Sequence, residues 1–206
     1  MATEASARRE WFLTSLAGWR RNRSCQKGRR LYSFILLFGL VSSLALQAIG
    51  AQAESNDVDL ALVLAIDTSG SVSPNRYDLQ RKGYAEAFAS QKLISAIRSA
   101  PNRVIAVTLV EWSGAHQQEQ VISWTLIRDE SSSKAFSESL KKIPRSFYGR
   151  TSISAAIDFS ATLIMSSPFQ SARKVIDVSG DGSSNDGRPV AGARDDAVAV
   201  GLTING

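Results

Sequence analysis

Cysteine is almost missing from this chain. The only one is Cys25, far from the stretches that carry polar chemistry. A disulfide framework is therefore excluded, and so is a thiolate metal site beyond residue 53. An excess of positive charge is also missing from most of the chain, although the formal net charge is +5. Residues 1–53 hold eight Lys/Arg against two Glu, while residues 54–206 hold sixteen Lys/Arg against seventeen Asp/Glu. The basic balance belongs to the first segment, so no nucleic-acid-binding face is implied. Internal repeats and low-complexity tracts are absent too, which leaves one domain of sufficient length for a sizeable core.

What is there begins with a leader. Residues 1–30 carry Arg8, Arg9, Arg20, Arg21, Arg23, Lys27, Arg29 and Arg30, and residues 31–49 are mostly apolar. Ala51-Gln52-Ala53 then supplies the small side chains of a signal-peptidase site. The pattern predicts a signal peptide over 1–53, a mature chain starting at Glu54, and export to the periplasm or the extracellular space. The apolar run is also long enough to span a membrane, so an uncleaved anchor is the alternative. An anchor would leave the domain outside, because the basic flank stays cytoplasmic. Contact with a membrane is expected only through the leader, if it stays uncleaved.

The remainder, 54–206, alternates strand-like and helix-like segments. Asp59–Ile66, Val104–Val110, Val121–Ile127, Lys174–Ser179 and Leu202–Asn205 read as strands. Asn75–Arg98, Ser131–Ile143, Ser152–Met165 and Ala191–Val200 carry helical patterns, with Ser73-Pro74 as a helix start. The alternation predicts an α/β fold: a mainly parallel, doubly wound, Rossmann-like sheet of about five strands with helices on both faces. The polar loop from Ser113 to Gln120 predicts that the second and third strands form an antiparallel edge hairpin.

The first strand ends in Asp67-Thr68-Ser69-Gly70-Ser71. In a chain close to extended, positions 67, 69 and 71 turn toward one side. One carboxylate and two hydroxyls are hard oxygen donors, suited to magnesium, manganese or calcium rather than zinc or copper. Ligands of open α/β sheets collect at the carboxyl ends of strands. Two further segments reach such positions. Gly149-Arg150-Thr151-Ser152 opens a helix with a hydroxyl beside a glycine turn, and Val178-Ser179-Gly180-Asp181-Gly182 closes the fourth strand with a second carboxylate. If the fourth strand neighbours the first, Asp67 and Asp181 meet.

The order D-x-S-x-S, then Gly-x-Thr, then Asp-Gly after a strand, resembles the von Willebrand factor A domain. The wider text around Glu111-Trp112-Ser113-Gly114 and Asp177–Gly182 is similar to a bacterial subgroup of exported A-domain proteins of unknown function. The resemblance implies a metal-ion-dependent adhesion site at Asp67, Ser69, Ser71, Thr151 and Asp181. It further implies a magnesium-like ion (or manganese or calcium) with one position left for an anionic oxygen of a protein or other acidic ligand. A-domains continue past the fifth strand with a helix, a sixth strand and a closing helix. The resemblance therefore implies that 54–206 lacks those elements, with an uncovered apolar face at Leu202 and Ile204.

Two other readings compete. Asp67, His116 and Ser152 stand in the subtilisin order of a serine hydrolase, but Arg150 replaces a glycine needed at the serine turn and His116 lacks a following Gly-Thr. The expectation is accordingly that the protein is not an enzyme, with His116 exposed in a polar loop. A truncated structural remnant without activity is the third reading. Glu111 at the end of the second strand reads as a group supporting the site or as a solvated strand end. Asp177, inside a strand, reads as an internally bonded buried carboxylate or a supporting group. Trp112 and Trp124 read as packing residues.

Overall fold

The computed structural model describes residues 56–206; the leader, its predicted cleavage after Ala53 and Cys25 lie outside the described residues. The chain runs β1 (Leu60–Asp67), α1 (Pro74–Phe88), α2 (Gln91–Arg98), β2 (Ile105–Trp112), β3 (Gln118–Ile127), α3 (Glu130–Lys142), α4 (Ile153–Met165), β4 (Lys174–Ser179), α5 (Val190–Ala199) and β5 (Thr203–Asn205). The sheet order is β3-β2-β1-β4-β5. β1 pairs in parallel with β2 and β4, β4 pairs in parallel with β5, and β2–β3 is the antiparallel hairpin. The mainly parallel α/β sheet with an antiparallel edge is thus the architecture found.

β1 is central, and all eight of its residues are buried. Alternation sends its side chains into two separate cores. Leu60, Leu62, Leu64 and Ile66 meet Tyr77, Tyr84 and Phe88 of α1, Leu93 and Ile97 of α2, and Phe136 and Leu140 of α3. Phe88 and Phe136 make an edge-to-face pair with centroids 4.6 Å apart. Val63 and Ala65 face the other way, toward Ala156, Ile157 and Ile164 of α4 and Ala193 and Ala197 of α5. Three helices cover one face and two the other. Leu202 is buried in this second core and Ile204 packs against it, so both touch the layer formed with α4 and α5. No helix among the described residues is long and apolar enough to cross a membrane.

Most boundaries fall within one or two residues of the sequence reading, and two differ by more. The expected single helix over Asn75–Arg98 is two helices. Ser90 breaks it: its hydroxyl donates to the Ala87 carbonyl (2.7 Å) and accepts the Leu93 N–H (3.3 Å), capping α2. The third strand begins at Gln118 rather than Val121, pairing Gln118 with Trp112 and Glu119 with Glu111. An edge strand solvated on one side needs no apolar run, so its polar start carries no hydrophobic signal.

Candidate metal centre

The parallel register sets the carboxyl ends of β1, β2 and β4 side by side. Asp67 lies opposite Trp112 of β2, and Ile66 opposite Ser179 of β4. The chain leaving β1 is then tied down at once. Thr68 donates its N–H (2.8 Å) and its hydroxyl (2.9 Å) to the Trp112 carbonyl. Asp67 Oδ1 accepts the Ser69 N–H at 2.7 Å, and the Gly70 N–H reaches the Gly149 carbonyl at 2.8 Å. A side chain on Gly70 would stand against the Tyr148 and Gly149 carbonyls, 3.5 Å from each.

Arg145 braces this loop from the other side. Its guanidinium donates to the carbonyls of Thr68 (3.0 Å), Ser69 (2.6 Å), Val72 (2.8 Å) and Phe147 (3.0 Å). The same group lies over the rings of Tyr148 (4.1 Å) and Tyr77 (5.6 Å). Tyr148 itself is strongly exposed beside the loop. Tyr77 donates its hydroxyl to Glu111 Oε1, while Glu111 Oε2 accepts the Ser146 N–H at 2.7 Å. Burial and the bond to Glu111 push the Tyr77 hydroxyl well above the usual phenol range.

Four of the five expected site residues converge. Ser69 Oγ lies 3.0 Å from Ser71 Oγ, and Ser71 Oγ donates to Asp181 Oδ1 at 2.9 Å. Asp67 joins them from the end of β1. Its carboxyl is held above the ordinary range, first by burial and secondarily by the Asp181 charge, with the Ser69 N–H and hydroxyl and, more weakly, the Asp181 N–H opposing. Thr151 is placed by backbone bonds. Its N–H donates to Asn185 Oδ1 (3.0 Å), and its carbonyl accepts the N–H groups of Asn185 (2.8 Å) and Asp186 (3.1 Å). The Thr151 hydroxyl makes no hydrogen bond to the other four residues.

One atom tests whether a cation fits. Asp67 Oδ2 is buried and has no hydrogen-bond partner. An unsatisfied buried carboxylate oxygen is costly, and a hard cation satisfies it. Gly180 keeps the approach open: a Cβ there would stand 3.2 Å from Asp67 Oδ2 and 3.4 Å from the Trp112 ring. Among the described residues no three His, Cys, Asp or Glu side chains group together. Any ion here must therefore rely on serine and threonine hydroxyls as well as carboxylates, and the donor set suits that.

The hydrolase arrangement is not assembled. Ser152 is buried, and its hydroxyl caps α4 by accepting the Ala155 N–H at 3.3 Å. A Cβ on Gly187 would lie 2.2 Å from that oxygen, so the hydroxyl faces backbone rather than a substrate. His116 is exposed in the β2–β3 loop, and Asp67 takes no bond from it. Glu111 is a buried, fully bonded strand end, and Asp177 accepts the Tyr84 hydroxyl at 2.6 Å. Trp112 is wholly buried beneath the centre, and Trp124 packs edge-on against Phe169. Arg145, Arg76, Tyr77 and Gly180 shape the centre yet carry no local sequence signal of doing so.

Residues 57–206 match a family model described as "Protein of unknown function (DUF1194)". No curated protein matches the sequence. Among solved structures, the fold is similar to proximal thread matrix protein 1 from the mussel byssus with a zinc-occupied MIDAS motif, at 15% identity and a TM-score of 0.51. That similarity covers 74% of this chain and 38% of the mussel protein. An aerotolerance-related membrane protein from Bacteroides fragilis is similar at 20% identity and a TM-score of 0.48, over 70% of this chain and 65% of that one. The vWF domain of the type V pili tip protein Mfa5 from Porphyromonas gingivalis follows at 15% identity and 0.41, over 62% and 39%. The chain thus spans less than two thirds of each of these proteins. The likeness is one of fold, and the fold is von Willebrand factor A-like.

Proposed function

The chain belongs to the DUF1194 family, and we propose that its domain is a divalent-cation-dependent binding module that engages an acidic group of a protein or other ligand. The observation that carries this reading is the partnerless, buried Asp67 Oδ2 among Ser69, Ser71 and Asp181. Asp67, Ser69 and Ser71 would hold the ion, with Thr151 and Asp181 closing the site directly or through water. The ion would supply a Lewis-acidic centre with a position for an anionic oxygen. Three hydroxyls and two carboxylates do not over-neutralise a dication, so it stays attractive to a further anion. Binding rather than catalysis fits the buried, capping Ser152 and the exposed His116. The zinc-occupied motif of the mussel protein adds zinc to magnesium, manganese and calcium as ions to be tried. The basic and apolar pattern of residues 1–53 supports export as part of this reading, with the domain working in the periplasm or beyond.

The test is calorimetric titration of the purified chain with each of the four ions, together with melting in chelator and in excess metal. Wild type should gain about 2.7 kcal/mol at a hundredfold excess over the dissociation constant. Asp67→Ala should gain nothing, while its circular dichroism stays that of the folded chain. Equal metal-induced gains in the two proteins would remove Asp67 from the site.

A further inference from the structure

We propose that Arg76 is a built-in rival cation at this centre, holding Asp181 against the incoming metal; the inference rests on the metal-binding reading above. Arg76 Nη1 donates to Asp181 Oδ2 at 2.6 Å, while Ser71 occupies Oδ1. Both oxygens of the second carboxylate are therefore engaged. The Asp181 side chain is 14% exposed and that of Arg76 54%, so the pair stands at the mouth with its acid inside. Pairs of this kind act more strongly than two fully solvated ions.

The position of Arg76 is not explained by α1. It sits in the first turn of that helix, where the macrodipole disfavours a cation, and no acidic residue in that turn offsets it. Nor is the pair needed to start or seat the helix. Ser73 already caps it by accepting the Arg76 N–H at 3.3 Å. Tyr77, Gln80 and Tyr84 already bond Glu111, Ser179 and Asp177 across the sheet. What Arg76 changes is charge. Asp67 and Asp181 together offset a dication; with Arg76 present, the loaded centre keeps one net positive charge. Metal is held more weakly, and what remains is more attractive to an anionic oxygen.

Calorimetric titration of the full chain with magnesium, manganese, calcium or zinc tests this. Arg76→Gln and Arg76→Ala should bind the ion about tenfold more tightly than wild type, within the usual range for coupled sites. Arg76→Lys should stay near wild type. In the Asp181→Asn background, Arg76→Gln should confer no gain, because the contested carboxylate is gone. A metal-free readout runs alongside: in chelator, Arg76→Gln should melt below wild type, and its metal-induced rise should be larger. Equal or weaker metal binding by a folded Arg76→Gln chain overturns the role of Arg76 and leaves the metal centre standing. Absence of binding in both folded proteins overturns the metal centre, and Arg76's role with it.

Discussion

Replacing Arg145 with alanine removes one guanidinium from four carbonyls at once, three of them in the loop that follows β1. A hydrogen bond to a charged group contributes about 1.5–3 kcal/mol in favourable settings. Four such bonds do not add in full here, because Arg145 is only partly buried and water can reach carbonyls it vacates. Its stacking on Tyr148 and Tyr77 adds about 0.5–1 kcal/mol. The net loss should be about 2–4 kcal/mol, a large part of the roughly 5–15 kcal/mol typical of a domain. With a urea m-value of about 2 kcal/mol/M, the midpoint should fall by about 1–2 M. Arg145→Lys should recover less than half of this, since an ammonium cannot fork across several carbonyls. Metal affinity should fall as well, because Ser69 and Ser71 lose the brace that fixes their loop. A midpoint shift under about 0.3 M with unchanged metal affinity would show that Arg145 merely decorates the loop.

Asp129 caps α3 with a reciprocal bond to Ser132, and the Ser132 N–H and hydroxyl hold its carboxyl below the ordinary 3.8. A depressed folded value means stability that is present above the unfolded value and lost as pH falls through the folded one. The stability gap between wild type and Asp129→Ala should therefore be constant from about pH 7 to pH 5 and narrow progressively as pH falls below 3.8; a gap that does not narrow there would assign the effect to something other than the charged cap. A fluorophosphonate serine-hydrolase probe should leave Ser152 unlabelled, and Ser152→Ala should cost about 0.5–2 kcal/mol as a lost cap. Labelling of Ser152 that disappears in His116→Ala would restore the hydrolase reading.

The parts of the centre that could be read from the sequence are those whose signal is local. Asp67, Ser69 and Ser71 follow a buried aliphatic strand at fixed spacing, and Asp181 follows another, so sheet order alone brings them together. Arg145 acts across more than 70 positions on backbone carbonyls, which have no letter in a sequence. Gly180 shows its glycine but not the Asp67 oxygen and Trp112 ring that require it. The break at Ser90 is hidden because apolar spacing continues through it, from Phe88 to Leu93. Thr151 is a different case: its turn was legible, but its backbone, not its hydroxyl, makes the bonds that hold it.

The seam beneath the centre follows from the same register. Tyr77, Gln80 and Tyr84 lie on one face of α1 at intervals of three and four residues. Each meets a polar group at the carboxyl half of the sheet: Glu111 on β2, then Ser179 and Asp177 on β4. Apolar packing tolerates sliding more readily than three directional bonds to two different strands do. The seam therefore sets α1 in rotation and height relative to β2 and β4. Because Arg76 immediately precedes Tyr77, that placement also aims its guanidinium at Asp181. The carboxylates below the centre have their oxygens engaged by tyrosine hydroxyls, and Arg145 is held on the loop carbonyls, whereas Asp67 and Asp181 stand at the sheet edge with Arg76 against Asp181. Asp67 Oδ2 alone among the carboxylate oxygens there is both buried and without a partner, which concentrates the demand for a cation at a single atom of the central strand.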